Sequence, residues 1–236
     1  MTRIRISKYL ADCGLGSRRK CEKLVEEGNV KVDGATIEEL SYKVGPGQKV
    51  ECFDQEVRPQ PRMVIALNKP VGYLCTVSDD FNRKKVTDLI KKDVRLYPAG
   101  RLDYYSRGLL IMTNDGGLAY KLTHPKFGVP KTYKLKISGP LKDEDIKKLR
   151  EGIKIDGAGV NITFLKLLKT TPHHSSVTVE IVEGRKRILR RLFRGLGYKV
   201  IDLQRVKIGN FELKNLKEGQ HMVLGDNQIK ELTGGI

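Results

Sequence analysis

The chain has little of what would place it in a membrane or tie it to a metal ion. It contains no apolar run long enough to cross a bilayer, which takes about 18 residues, and its first residues lack the apolar segment of a secretion signal. It has four cysteines: Cys13, Cys21, Cys52 and Cys75. No two of them form a C-x-x-C pair, and no histidine follows at zinc-finger spacing. We therefore predict a cytoplasmic protein with reduced thiols, no bound metal and no membrane partner.

Familiar cofactor signatures are also missing. The sequence has no P-loop and no H-E-x-x-H motif. The glycine pair Gly14-Leu15-Gly16 follows an expected helix rather than a strand, so it does not predict a nucleotide loop. The neighbouring His173 and His174 lie in a Thr/Pro/Ser-rich stretch, which favours a solvated turn over a metal site. None of these residues therefore predicts a nucleotide or metal site.

Positive charge is what the chain has in excess. Its 45 Lys and Arg residues outnumber 28 Asp and Glu residues, which gives a net charge of +17. Such a balance favours a polyanionic partner, because each phosphate contact releases condensed counterions. Charge alone does not distinguish nucleic acid from an anionic membrane surface. Residues 1–60 carry only +1 of the total, so most of the excess lies in the rest of the chain.

Residues 1–54 have the pattern of a small α/β unit. The spacing of Ile6, Tyr9 and Leu10 predicts a short helix that stops at Gly14. Ser17 is placed to cap a second helix, and strands with a tight turn at Asp33-Gly34 follow. The basic residues Arg18, Arg19 and Lys20 lie at the start of the second helix, where free N–H groups and positive side chains both favour a phosphate. A solvated basic face explains them equally well on charge alone.

The rest of the chain reads as a polar linker and a sheet-rich domain. Residues 55–62 contain two prolines and suit a linker, and residues 63–236 alternate strands with at least two helices. One helix is expected to be capped by Asp143. The predicted strands are Met63–Leu67, Tyr73–Val77, Leu109–Thr113, Thr132–Ile137, Ile162–Leu168 and Val177–Val182. We predict an α+β fold in which a small N-terminal α/β domain precedes a larger domain of mixed, mainly antiparallel strands.

Two segments of the larger domain concentrate polar chemistry. From 185 to 207 there are nine basic residues and one acidic residue, and the segment 187–197 has the apolar spacing of a helix with arginines at 187, 190, 191 and 194 on its other face. Such a face is costly in self-repulsion unless an anion or carboxylate meets it, although a simply solvated arginine face remains an alternative. The second segment, 100–116, places Asp103 among arginines in a loop that enters a strand. It suits a catalytic carboxylate or a turn-stabilising aspartate.

Four segments, in order, resemble the RsuA/RluB family of ribosomal RNA pseudouridine synthases. They are Leu67-Asn68-Lys69-Pro70-x-Gly72, Gly100-Arg101-Leu102-Asp103 with its continuation through Thr113-Asn114-Asp115-Gly116, Lys131-Thr132-Tyr133, and Glu183-Gly184-Arg185-Lys186-Arg187 continuing through Arg190-Arg191. Residues 3–54 resemble the RNA-binding domain first known from ribosomal small-subunit protein four. The overall pattern is most similar to the RluB branch. One departure is Lys186-Arg187-Ile188-Leu189, where the family usually has an Asn-Arg-Gln-Val type run.

The resemblance implies that a uridine of ribosomal RNA is isomerised to pseudouridine, with no cofactor or metal. For the RluB branch the implied target is a uridine of 23S rRNA near the peptidyl-transferase centre, and 16S rRNA is the alternative. The substrate would be free rRNA or a pre-ribosomal particle, and we expect a monomer. A non-catalytic RNA-binding or ribosome-assembly protein fits the charge equally well. Asp103 distinguishes the two, because a carboxylate in a phosphate-binding cleft serves chemistry and repels RNA.

The resemblance also assigns roles to particular residues. Asp103 would be catalytic, either as a nucleophile or as a base that removes the 2′ proton. Arg190 would be its ion-pair partner, while Tyr133 and Leu189 would hold the two sides of the target base. Arg101 would fill the gap that the flipped uridine leaves. RNA phosphates would be bound by Arg185 and Arg187, and in the N-terminal domain by Arg18, Arg19 and Lys20.

Overall fold

The computed structural model of the chain describes residues 3–91, 93–155 and 157–234. They form two compact units: a small unit that runs to residue 63 and includes 93–95, and a large unit made of the remainder. Each unit has a hydrophobic core of its own, and each is described by itself.

The described elements of the small unit alternate short helices and strands. They are β1 (Ile4–Arg5), α1 (Ile6–Asp12), α2 (Arg18–Glu26), β2 (Val30–Val32), β3 (Ala35–Thr36), β4 (Lys43–Val44), β5 (Val50–Cys52) and β6 (Gln55–Glu56). The hydroxyl oxygen of Ser17 accepts a hydrogen bond from the amide of Lys20 at 3.2 Å, so the predicted cap of α2 is confirmed. Helix α2 buries its apolar stripe, Cys21, Leu24 and Val25, against the core of the unit.

A four-stranded antiparallel sheet, in the order β3-β2-β5-β6, completes the small unit together with the pair β1-β4. The turn from β2 to β3 is made by Asp33 and Gly34, whose φ angles are +49° and +83°. Two successive positive φ angles define the tight hairpin turn that Asp-Gly predicts. The turn joins Val32 to Ala35 in register.

The segment predicted as a linker, residues 55–62, begins inside the small unit. Its first residues form β6, which pairs with β5, and Val57 packs on the core. The amide of Gln60 donates to the carbonyl of Asp12 at 2.9 Å. Although it contains two prolines, this segment is therefore largely packed against the small unit, because its backbone groups find hydrogen-bond partners there.

The large unit is built on one extended sheet with helices around it. Its described elements are β7 (Val64–Lys69), β8 (Tyr97–Ala99), β9 (Arg107–Thr113), α3 (Gly116–Thr123), β10 (Lys131–Ser138), α4 (Asp143–Glu151), β11 (Ile153–Ile155), β12 (Ala158–Val160), β13 (Ile162–Thr170), β14 (His174–Ile181), α5 (Ile188–Gly195), β15 (Val200–Ile208), β16 (Phe211–Glu212), β17 (His221–Val223) and α6 (Asp226–Thr233). Short 3₁₀ turns lie at Val86–Leu89 and Pro125–Phe127.

The strands of this sheet follow the order β13-β14-β10-β15-β9-β7-β17, with β8 and β16 attached to β9 and β15. The pair β9-β15 is parallel and the other described pairs of the sheet are antiparallel. The predicted α+β class with mixed, mainly antiparallel strands is confirmed. Strand β14 alternates between buried and part-exposed positions, whereas β7 is buried along its whole length, as expected for a strand covered on both faces.

The core of the large unit has two parts. One packs helices α4 and α5 against β10, β13, β14 and β15, and the other packs α3 and α6 against β7 and β9. At the junction of the two halves, β9 and β15 approach closely. A Cβ atom on Gly108 would lie 2.2 Å from the carbonyl oxygen of Arg205, so this parallel contact requires glycine.

Three local predictions were wrong. The apolar stretch Tyr73–Val77 is not a strand: only a single bridge joins Leu74 to Lys85, because the chain here leaves the sheet and runs along the cleft described below. Asp143 is the first residue of α4, and Lys142 precedes it as the N-cap with no side-chain cap bond. Arg187 precedes α5 with a φ angle of +53°, so it lies outside the helical face on which we had placed it.

None of the helices within the described ranges is long and apolar enough to cross a membrane.

Candidate active site

One cleft in the large unit brings together residues from separate parts of the sequence. It has a volume of about 630 Å³. Its walls include seven residues predicted from the sequence: Arg101, Asp103, Tyr133, Arg185, Arg187, Leu189 and Arg190. They come from the loop before β9, from β10, and from the first turn of α5 with the segment that leads into it. The strand order explains the convergence, because β10 and β9 are neighbours of β15 on opposite sides.

Asp103 projects from a turn whose backbone is fixed on all sides. The amide of Ser106 donates to the carbonyl of Asp103 at 3.0 Å, and the amide of Gly72 donates to the carbonyl of Tyr104 at 2.9 Å. The carbonyl of Tyr105 accepts a 2.7 Å hydrogen bond from the Arg190 guanidinium. Every carbonyl from 103 to 106 therefore has a donor, since Lys69 serves the last one. This network holds the aspartate in place before any substrate binds.

Lys69 is the residue beneath this turn, and it is fully buried at the end of β7. Its Nζ donates to the carbonyls of Pro70 at 2.9 Å, Ser106 at 2.8 Å and Asp103 at 3.4 Å. Burial lowers the pKa of Lys69, because water is replaced by these few carbonyl dipoles. The sequence analysis quoted Lys69 within a motif but gave it no role. A lysine that follows four apolar residues and an asparagine at the end of a strand was the available signal.

Arg190 lies beside Asp103, but more loosely than the buried pair we expected. Its Nε is 4.0 Å from the Oδ2 of Asp103, and among the described residues this Nε has no hydrogen-bond partner. The other guanidinium nitrogens donate to the carbonyls of Val200 at 3.1 Å and Tyr105 at 2.7 Å. The Asp103 side chain is 29% exposed, against 12% for Arg190. The carboxylate is therefore open to a ligand in the cleft.

The surroundings of Arg190 shift the pKa of its guanidinium group. Its pKa is lowered first by burial and then by the nearby Arg187, while Asp103 and Asp202 act in the opposite direction. Removing water from a guanidinium is costly unless carbonyls and carboxylates replace it. The arginine is thus a positioned cation that donates to two backbone carbonyls and to the Ser106 hydroxyl at 3.3 Å, and whose attraction for Asp103 acts through space.

Tyr133 and Leu189 form buried parts of the cleft wall. Both also belong to the hydrophobic core, so packing holds their side chains in fixed positions. Tyr133 pairs in register with Arg205 of β15, next to an irregularity in the ladder between Thr132 and Tyr133. A planar, immobile ring at the wall of a cleft is suited to stacking on a nucleobase.

The arginines predicted to contact RNA in the cleft, Arg101 at the gap left by the uridine and Arg185 and Arg187 at phosphates, differ in their surroundings. Arg101 and Arg187 are exposed at its wall and face solvent. Arg185 instead forms an ion pair with Glu183, and donates to the carbonyls of Gly159 at 2.7 Å and Ile155 at 3.3 Å. It anchors the hairpin of β11 and β12. This geometry favours a structural role for Arg185 in place of the phosphate contact we expected.

Two further cations of the cleft were missed by the sequence analysis. Lys131 donates to the carbonyl of Val129 at 2.8 Å, and burial, followed by the charge of Arg205, lowers its pKa to about 8. Arg205 is buried and donates from Nε to the carbonyl of Leu109 at 2.7 Å. Its Nη2 is buried with no hydrogen-bond partner among the described residues. Both residues lay in segments already noted, but their convergence depends on the pairing of β10 with β15.

The predicted RNA ligands of the small unit lie at the start of α2. Arg18, Arg19 and Lys20 are exposed, and the amide of Lys20 is already bonded to Ser17. Three cations at a helix N-terminus, where the helix dipole is also positive, form an electrostatic surface suited to phosphates.

This mixed sheet, with an aspartate, a tyrosine and an arginine in one basic cleft, matches a known family. Residues 63–194 match the family model described as RNA pseudouridylate synthase, and residues 4–50 match that of the S4 domain. The chain belongs to the RNA pseudouridylate synthase family and carries an S4 domain before the catalytic part. It is a pseudouridine synthase, an isomerase that acts on RNA.

Relatives support this membership over nearly the whole chain. The chain is 37% identical, over 97% of its length and 95% of the relative, to ribosomal large subunit pseudouridine synthase B of Bacillus subtilis. It is 34% identical, over 98% and 94%, to an uncharacterized RNA pseudouridine synthase of Aquifex aeolicus. A crystal structure of a pseudouridylate synthase covers 97% of this chain and 99% of that one, with a TM-score of 0.68 and 28% identity.

We expect Arg190→Ala to lose both stability and activity, because it removes donors from the Val200 and Tyr105 carbonyls and the cation beside Asp103. One of these hydrogen bonds is part-buried and the other is exposed, so their loss should cost on the order of 1–2 kcal/mol together, which lowers the Tm by about 2–8 °C. Thermal melts and single-turnover rates of pseudouridine formation measure the two effects. The matched control is Arg194→Ala, an exposed arginine of the same helix, which should keep both. If the two variants behave alike, the special position of Arg190 is wrong.

Proposed function

We propose that this protein converts one specific uridine of ribosomal RNA to pseudouridine, with 23S rRNA near the peptidyl-transferase centre as the target. The observation that carries the proposal is a partly exposed carboxylate, Asp103, fixed within a cleft of arginines and lysines. The ribosomal target is supported by the Bacillus subtilis relative, whose name specifies the large subunit. A second relative, from Escherichia coli and 33% identical over 97% of this chain, is called a dual-specificity RNA pseudouridine synthase. A uridine of 16S rRNA is the alternative target.

The reaction is an isomerisation in which all atoms stay on the substrate or exchange as protons. The bond between N1 and the sugar breaks, the base turns, and a bond forms from carbon 5 to the same sugar carbon. The proton on carbon 5 is lost and N1 gains one. Asp103 serves either as a nucleophile toward the sugar or base, or as the base that removes the 2′ proton. Both roles need an ionised carboxylate that reaches the nucleotide. This fits Asp103, whose carboxylate accepts no hydrogen bond from the turn that carries it.

The other cleft residues position the nucleotide. A uridine inside a helix is unreachable, so it must be flipped out at a cost of a few kcal/mol. Tyr133 stacks on the extruded base, and Leu189 packs on its other side. Arg101 fills the gap left in the RNA, and Arg187 contacts phosphate. Arg190 holds the Asp103 turn through the Tyr105 carbonyl and supplies a positive charge 4.0 Å from the carboxylate.

The S4 domain supplies affinity and orientation. Its exposed basic cluster, Arg18, Arg19 and Lys20, binds phosphates, and the domain has none of the groups proposed for chemistry. A non-catalytic RNA-binding role for the whole chain does not account for Asp103, since a carboxylate in a basic cleft weakens RNA binding.

The mapping of pseudouridine in rRNA tests the reaction, the target and the aspartate together. A deletion strain should lack pseudouridine at one uridine of 23S rRNA, and the wild-type gene should restore it. Asp103→Asn should restore none, because the amide is neither a nucleophile nor a base, although its RNA affinity should stay within about threefold of wild type. The control Asp143→Asn changes an exposed carboxylate of α4 and should restore the modification. A missing site in 16S rRNA selects the alternative target, and restoration by Asp103→Asn removes the aspartate from the mechanism.

The salt dependence of RNA binding tests the S4 cluster. Replacing Arg18, Arg19 and Lys20 with alanine should weaken binding and flatten the plot of log K against log salt by up to about three units of slope. Filter binding over a salt series measures this slope.

A matched control exists in the same domain. Three basic residues each pair with a carboxylate, at distances of 2.7, 2.6 and 2.7 Å: Lys31, Lys49 and Arg58. Their triple alanine variant removes the same charge and should change the slope much less. Equal slopes for the two triple variants would show that only net charge counts and that the cluster has no special contact.

A further inference from the structure

We propose that Tyr104 and Tyr105 form a stacking platform for an unpaired nucleobase adjacent to the target uridine. The inference rests on the proposed function, in which the uridine is held at Asp103. It assigns a substrate contact to two residues that the cleft itself does not contain.

The exposure of these side chains is the first observation. Tyr104 is 39% exposed and Tyr105 is 67% exposed, and neither belongs to a hydrophobic core of the large unit. Their ring centroids are 5.0 Å apart with an interplanar angle of 88°. In this edge-to-face arrangement one ring supports the other, and the exposure of Tyr105 leaves much of its ring accessible. Aromatic side chains placed outside a core are of use where a partner covers them.

The backbone that carries the rings is the second observation. The carbonyl of Tyr104 is bonded to the amide of Gly72, and that of Tyr105 to Arg190. The flanking carbonyls of Asp103 and Ser106 are bonded to Lys69. Fixed backbone limits the conformational entropy that is lost when a ligand stacks on the side chains. The two rings are therefore carried by the same fixed backbone that carries the carboxylate.

Position and charge indicate the occupant. Tyr105 follows Asp103 by two residues, which spans at most about 7 Å of chain, so a nucleotide next to the bound uridine lies within reach. Arg83 lines the cleft and is held by Asp79 at 2.5 Å. The Arg83 guanidinium also lies 5.1 Å from the ring of Phe81, which is exposed. Aromatic rings interleaved with cations are the arrangement that binds single-stranded RNA.

The chemistry of base flipping gives the platform its purpose. Extruding a uridine unstacks the strand locally. Arg101 fills the gap on one side, and an unpaired base on the other side of the target has lost its stacking partner. A tyrosine ring replaces that partner for any of the four bases, because every base has a π-face. The platform therefore contributes affinity and holds the strand in register with Asp103, while the identity of the neighbouring base is left free.

Equilibrium binding of three variants tests the platform. The probes are the rRNA fragment containing the mapped uridine and a short oligouridylate. We expect the Kd to rise about tenfold for Tyr105→Ala and to stay within about threefold of wild type for Tyr105→Phe, which keeps the ring and loses the hydroxyl. The control Phe164→Ala removes an exposed ring of β13, outside the cleft-lining residues, and should leave the Kd unchanged.

A fluorescence readout separates stacking from a structural effect. With 2-aminopurine in place of the nucleotide adjacent to the target uridine, binding to wild type should quench its emission by stacking, and binding to Tyr105→Ala should not. Unchanged affinity and quenching in Tyr105→Ala overturn the platform, as does a loss in Tyr105→Phe equal to that in Tyr105→Ala. Failure of the proposed function is seen separately, as a wild-type enzyme that forms no pseudouridine in the fragment.

Discussion

A buried ammonium group holds together the turn from which Asp103 projects. Lys69 is enclosed at the end of a strand and donates to three carbonyls, two of which belong to residues 103 and 106. Each of those carbonyls would be costly to leave unpaired away from water. The charge of Lys69 is also costly to bury, so the strand, the turn and the lysine must form together. The carboxylate, the two tyrosines and the docking point of Arg190 all depend on this one arrangement.

The cleft combines strong positive charge with a carboxylate that forms no hydrogen bond to its arginine neighbour. Arg190 donates hydrogen bonds to the carbonyls of Val200 and Tyr105. Its Nε lies 4.0 Å from the Oδ2 of Asp103, which is too far for a hydrogen bond. At that separation attraction is on the order of 1–4 kcal/mol between the limits of water and protein surface. An intimate ion pair would block the carboxylate, and a distant one would leave it unsupported. The observed geometry supports the charge and keeps the oxygen atoms available to a nucleotide.

The sequence could predict the features that depend on near neighbours. Ser17 as a cap and Asp33-Gly34 as a turn follow from local chemistry, and family motifs pointed to Asp103, Tyr133 and Arg190. Features set by distant pairing could not be predicted. The role of Lys69 needs carbonyls more than thirty residues away, and the convergence of Lys131 with Arg205 needs the pairing of two strands. Tyr73–Val77 has the composition of a strand, but no neighbouring strand pairs along it. Arg185 looked like a free cation because its carbonyl partners lie on a hairpin about thirty residues earlier.

The most direct test of this account is the Lys69→Met variant, which keeps an apolar stem of similar length and removes the donors. Hydrogen exchange should accelerate at the amides of Gly72 and Ser106, whose acceptors are carbonyls of the turn, while amides of β10 keep their wild-type protection. Single-turnover pseudouridine formation at saturating enzyme should fall about 100-fold, the cost of misplacing a reacting group by about 1 Å, while the Kd for RNA should rise by no more than the roughly tenfold expected when the tyrosine platform is lost. Wild-type exchange at both amides together with a wild-type rate would contradict the claim that Lys69 holds the catalytic turn.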